Sequence, residues 1–92
     1  VMDNLNLLGK YYYNDLLSEK YIKQDGDPEI IEFKQSGLYI DDERYFINNA
    51  PEKYIKFAGP YRLIFKKSTI QLENTGQGNR VIGIFKKKDN DE

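Results

Sequence analysis

Ser68-Thr69-Ile70-Gln71-Leu72-Glu73 and Arg80-Val81-Ile82-Gly83-Ile84-Phe85 flank an unbroken run of turn-type residues, Asn74-Thr75-Gly76-Gln77-Gly78-Asn79. Two β-rich runs on either side of such a segment predict a β-hairpin. A two-residue connection would be enough for a hairpin, so the longer run with two glycines is either plain β punctuation or a presented loop able to adopt positive φ. A presented loop can hold an extended segment toward a partner.

The same pattern continues upstream. Ile30-Ile31-Glu32-Phe33-Lys34 runs into Gln35-Ser36-Gly37, and Leu38-Tyr39-Ile40 runs into the polar turn Asp41-Asp42-Glu43 before Arg44-Tyr45-Phe46-Ile47. Asn48-Asn49-Ala50-Pro51 is a turn cluster, Lys53-Tyr54-Ile55-Lys56-Phe57 alternates, and Gly59-Pro60 breaks it before Tyr61-Arg62-Leu63-Ile64-Phe65. Lys66-Lys67 marks another exposed turn. Strands at about 8 to 12 residue spacing predict a mostly β fold, a small antiparallel meandering barrel. Toward the N-terminus, Leu7 to Tyr13 suits a strand, and Asn14-Asp15 caps at most one short helix through Leu16, Leu17 and Lys20. Asp25-Gly26-Asp27-Pro28 closes that segment as a loop, and the tail from Lys86 to Glu92 is a solvated end whose charges offset one another.

With 92 residues, residues 1–92 are expected to form a single domain, because a chain this short buries only about 60 to 65% of its unfolded surface. Eight Tyr and five Phe make it too aromatic for a disordered chain. Fourteen basic against fifteen acidic side chains leave no global field to draw nucleic acid or an anionic membrane, and neither is expected as a partner. Cys and His are both absent, which removes the thiol nucleophile, the commonest general base and the commonest metal ligand. No enzyme, no cofactor and no metal is expected. The chain is expected to be monomeric when free.

Met2 is followed by Asp3-Asn4-Leu5-Asn6, which has neither the charged n-region nor the apolar h-region of a signal peptide. A cytoplasmic start is the expectation, and a mature secreted chain whose leader was removed is the alternative. Asp41-Asp42-Glu43 and Asp25-Gly26-Asp27 have carboxylates that a hard cation would accept, without the ligand count of a calcium loop, and are expected to be solvated turns. Tyrosines and phenylalanines interleaved with Lys and Arg raise an oligonucleotide-binding barrel, but the same aromatics fill a small β core and nearby acids cancel the bases.

Gly9-Lys10-Tyr11, Ile31-Glu32-Phe33 with Gly37-Leu38-Tyr39, and Arg80 entering the last strand resemble a shortened lipocalin or calycin. In that family a Gly-x-Trp opens the barrel and a basic residue from the end packs across the aromatic; here Tyr11 stands in place of the Trp. A narrower resemblance covers most of the chain. Leu5-Asn6-Leu7-Leu8-Gly9 and Asp25-Gly26-Asp27 are similar to the first strands of the staphostatins, and Asn74-Thr75, Gly78, Arg80 and Phe85-Lys86-Lys87-Lys88 to their inhibitory loop and closing strand.

Staphostatins are small cytoplasmic lipocalin-like barrels that inhibit secreted papain-like cysteine proteases, and inhibitors of streptopain-type proteases share the role. The resemblance implies a partner of streptopain or staphopain type, with the loop lying along its cleft in the substrate direction. It implies that Gly78 precedes the bond that would be cut, that Gly76 and Gln77 (with Thr75 before them) fill the preceding subsites, and that Asn79 and Arg80 lie on the leaving side. Gln77 is polar where the family has an apolar residue. Ile82-Gly83 is therefore a second-choice apolar-Gly loop, ranked lower because Val81 to Phe85 alternates like a paired strand. Two other roles stay open: a lipocalin-like module that binds a small ligand or a partner without inhibiting it, and an immunity-like protein offering Asp41 to Glu43 to a basic partner.

Overall fold

The computed structural model describes residues 7–88. Among the described residues there are nine strands: β1 (Gly9–Tyr13), β2 (Ile30–Lys34), β3 (Gly37–Ile40), β4 (Glu43–Tyr45), β5 (Ile47–Asn49), β6 (Ile55–Ala58), β7 (Tyr61–Phe65), β8 (Thr69–Asn74) and β9 (Arg80–Lys87). They form one antiparallel sheet in the order β4-β3-β2-β1-β9-β8-β7-β6-β5, a nearly closed barrel. Each strand pairs with the next along the chain, except that β1 pairs with β9 and β4 does not pair with β5. The meandering barrel read from the strand spacing is the fold observed.

β4 and β5 run in the same direction and are separated only by Phe46. They act as one strand with a break: its first half bonds to β3 through Leu38↔Tyr45, Tyr39↔Arg44 and Ile40↔Glu43, and its second half to β6 through Ile47↔Ala58, Asn48↔Phe57 and Asn49↔Lys56. Counted so, the barrel is eight-stranded and up-and-down. Across the seam the Tyr45 ring meets Tyr61 of β7 edge-on, with centroids 5.6 Å apart.

Three sequence expectations change here. Arg44 to Ile47 is not one continuous strand, because pairing changes sides at Phe46, a residue 79% exposed. Asn48 and Asn49 belong to a strand rather than a turn, since β6 supplies the pairing that their propensity lacks. Lys53 and Tyr54 form the turn before β6, which starts only at Ile55. At the expected helix, Asn14 caps the Leu17 N–H with Oδ1 (2.8 Å) and Ser18 N–H donates to the Asn14 carbonyl (3.0 Å). The segment continues in tighter turns, Tyr21 N–H donating to the Ser18 carbonyl (2.8 Å), and does not become a regular helix; Ser18 is held to β9, where its Oγ accepts from Ile84 N–H (2.7 Å) and donates to Ile84 C=O (3.2 Å). Leu5, Asn6 and the tail beyond Lys88 lie outside the described residues.

Alternate residues of the strands fill the interior. Ile31, Leu38, Leu63, Ile70, Leu72, Ile82 and Phe85 are fully buried in one cluster, and Tyr11, Phe33 and Phe65 stack through it with centroid separations of 6.1 and 5.6 Å. A bulge interrupts β9: Leu72 faces Gly83 whereas Glu73 faces Val81, so Ile82 is the extra residue. The slip lets Ile82 and Phe85, three apart, enter the same core. No helix among the described residues is long and apolar enough to cross a membrane.

Candidate functional site

The 75–80 loop sits at the barrel end where β1, β3 and β8 finish. Its conformation starts from Asn74, whose Oδ1 accepts from Gly76 N–H (2.9 Å) and pulls Thr75–Gln77 into a 3-10 turn. Thr75 anchors that turn to the β6–β7 connection, donating to the Pro60 carbonyl through both its N–H (2.7 Å) and its Oγ1 (3.0 Å). Gly78 ends the turn in the left-handed region at φ 67°, ψ 33°, and Asn79 follows at φ 60°. Residues 75–79 are all exposed. Of the two readings open from the sequence, the loop is a presented turn with positive φ, compact because the Asn74 side chain competes successfully for the backbone.

Arg80 fixes the far side. Its Nε donates to Gln77 Oε1 (2.7 Å), Nη2 to Asp27 Oδ1 (2.8 Å), and Nη1 to Asp27 Oδ2 (3.2 Å) and the Ile22 carbonyl (3.4 Å). Asp27 Oδ2 also accepts from Gln24 N–H (2.8 Å). The fork of Arg80 thus ties the presented turn to the 22–27 segment through a two-point ion pair. Burial pushes the Asp27 carboxyl up, but the Arg80 hydrogen bonds, the Gln24 amide and the positive charges of Arg80 and Lys23 outweigh it and hold the group below its ordinary value. Beside this clamp Ile22 is 81% exposed, and Leu16 and Leu17 of the same connection are exposed as well.

Thr75, Gly76, Gln77, Gly78, Asn79 and Arg80 are thus brought together as one surface. Ile82 and Gly83 are not part of a loop: both are buried within β9, and a Cβ on Gly83 would lie 2.4 Å from Tyr13 Cε2 and 2.9 Å from Ser18 Oγ. Sequence reasoning missed Asp27, read as a solvated turn residue, because its partner is 53 positions away. It also treated Asp41 as solvated, yet Asp41 Oδ1 accepts from the N–H groups of Glu29 and Ile30, both at 3.0 Å, and so seats the start of β2. Among the described residues no group of acidic side chains is arranged to hold a metal ion. Arg80 does not lie across Tyr11 as a lipocalin's basic residue would; the Tyr11 hydroxyl donates to the Leu7 carbonyl (3.3 Å) and its ring meets Phe33 edge-on. Asp25 and Gly26 lie in a turn, as read from Asp25-Gly26-Asp27-Pro28, although the staphostatin resemblance set them beside first strands.

Two clefts adjoin the packed core. A cleft of about 520 Å³ lies at the opposite end, between the β2–β3 hairpin and β5–β6, and a smaller one of about 240 Å³ lies on the outer wall beside Asn79, Arg62 and the 50–52 turn. The chain matches no protein-family model, no curated protein and no solved structure.

Proposed function

We propose that this protein is a binding protein without chemistry of its own, an inhibitor of a papain-like cysteine protease of streptopain or staphopain type, with the 75–80 loop as its working surface. The observation that carries the reading is an exposed turn held on both sides, by Thr75 on Pro60 and by Arg80 on Asp27, with left-handed backbone at Gly78 and Asn79. Protease clefts pair with extended backbone. Successive residues at φ 67° and 60° depart from that geometry, and on this reading the departure is what would keep the bound loop from being cut as a substrate. Preorganisation also reduces the ordering that binding would otherwise require.

The test is titration of the protein against streptopain- and staphopain-type proteases, following residual activity and the integrity of the added protein. Stoichiometric loss of activity with an uncut inhibitor is the expected result, and full activity across the panel overturns the reading. Gly78→Arg should abolish inhibition while the fold persists, because a Cβ at Gly78 has no atom within 4 Å. The left-handed φ adds only about 1 to 2 kcal/mol for a residue other than glycine. A second reading, a partner-binding module without inhibition, draws on the cleft at the other end of the barrel.

A further inference from the structure

The cleft at the end opposite Gly78 follows directly from the break at Phe46. Up to Tyr45 the fourth strand is bonded to β3; from Ile47 it is bonded only to β6, and β5 is an end strand of the sheet among the described residues. Ala50 N–H donates to the Ile55 carbonyl (3.4 Å), and the register then makes Asn48 and Phe57 the next mutually bonded pair. Antiparallel alternation turns the N–H and C=O groups of Ile47 and Asn49 away from β6, toward the cleft that both residues line. One wall is thus a strand edge with no pairing partner among the described residues.

Leu7, Leu8 and Phe33 supply apolar lining beside Gln35 and Gly37 of the β2–β3 turn, and the charge is of one sign: Lys34 and Lys56 are the charged residues among those that line the cleft. Both ammonium groups are held in place, Lys56 Nζ by Asn49 Oδ1 (2.9 Å) and Lys34 Nζ over the Tyr39 ring at 4.9 Å. At the rim the Arg44 guanidinium lies over the exposed Phe46 ring at 5.4 Å, adding a third cation.

We propose that this cleft takes an extended, acidic peptide segment of a partner protein, added as a strand on the free edge of β5, with a carboxylate between Lys34 and Lys56 and an apolar side chain toward Phe33. A volume of about 520 Å³ falls in the range of sites that bury a ligand, roughly 300 to 1,000 Å³. The row of backbone donors and acceptors is what distinguishes a peptide from an anionic amphiphile, since only a peptide can answer it in register. The inference is independent of the loop's role and is read without any protease.

The test uses the ¹⁵N-labelled full chain titrated with an acetylated, amidated pentapeptide alternating valine and glutamate, with a valine–lysine twin, and with decanoate. Saturable shifts centred on the Ile47 and Asn49 amides are expected for the glutamate peptide, together with at least tenfold slower hydrogen exchange at both. Lys34→Glu with Lys56→Glu should weaken binding about tenfold or more by placing like charges opposite one another, and a preserved spectrum confirms that this variant is folded. Equal binding of the lysine twin, shifts that never saturate, shifts centred on the 75–80 loop, or binding of decanoate but not peptide each overturn the proposal.

Discussion

Removing the Asp27 carboxylate should loosen the presented turn and the 22–27 segment together. The Asp27 side chain is 9% exposed and that of Arg80 21%, so the pair is shielded enough to matter and open enough that water partly compensates its loss. Hydrogen bonds to charged groups contribute about 1.5 to 3 kcal/mol each, and rupture of a fully buried pair costs about 3 to 5. Two such bonds at 2.8 and 3.2 Å, at this exposure, place the Asp27–Arg80 coupling at about 2 kcal/mol. At roughly 4 to 8 °C per kcal/mol for a domain of this size, Asp27→Ala should lower Tm by about 8 to 16 °C. Urea denaturation of Asp27→Ala, Arg80→Ala and the double variant measures the coupling, and hydrogen exchange at residues 75–79 localises it. A coupling under about 0.5 kcal/mol, or unchanged exchange in the turn, would refute the clamp. The pH dependence has a fixed sign. Because the folded carboxyl lies below its ordinary value of about 3.9, the clamp's contribution is present above that pH and is lost as pH falls through the folded pKa. Asp27→Asn should flatten that acid limb.

Other consequences are open to measurement. Gly83→Ala should destabilise by about 1 to 3 kcal/mol or prevent folding, since its Cβ would stand 2.4 Å from the Tyr13 ring; a urea midpoint within error of wild type would mean that β9 is not packed as described. Under the inhibitor reading, Asp27→Asn should turn the protein from an intact blocker into a cleaved substrate, detected by mass spectrometry of the loop after protease exposure. Burial, with the neighbouring Tyr45 hydroxyl, pushes Tyr61 up to about 12. Above about pH 10 the unfolded chain then releases a proton that the folded one keeps, so stability falls as pH rises from about 10 to about 12, and Tyr61→Phe should reduce that slope.

The strands best legible in the sequence are those bounded by residues with one local meaning. Gly59-Pro60 between β6 and β7, Gln35-Ser36 between β2 and β3, and Lys66-Lys67 before β8 all mark turns through backbone or solvation preferences that tertiary context does not reverse. Phe46 was not legible as a break, because Tyr45, Phe46 and Ile47 form an unbroken run of β-prone residues and only the change of pairing partner reveals it. Asn48 and Asn49 were misread for the converse reason: local propensity points to a turn, and the edge of β6 overrides it. In the candidate site the exposed run 75–79 could be read from turn chemistry alone. Its anchors Pro60, Ile22 and Asp27 could not, since each is joined to it by a contact between distant parts of the chain.

The break at Phe46 also explains why one barrel has two unlike ends. A short chain that closes an up-and-down sheet fills much of its interior with its own side chains, and here Ile31, Leu38, Leu63, Ile70, Leu72, Ile82 and Phe85 are fully buried. Binding is then left to the rims and the wall. At one rim the connections are tied: Ser18 to Ile84, Asp27 to Arg80, Asp41 to Glu29 and Ile30, and Thr75 to Pro60. That rim presents a fixed backbone. At the other rim, the fourth strand transfers its hydrogen bonds from β3 to β6 and thereby leaves the β5 edge without a neighbour among the described strands. Closure of the sheet by a divided strand and the appearance of a receptive edge are thus one structural event. A substitution that restores continuous β3 pairing beyond Tyr45 would have to detach Ile47–Asn49 from β6, closing the cleft only by opening the wall on its other side.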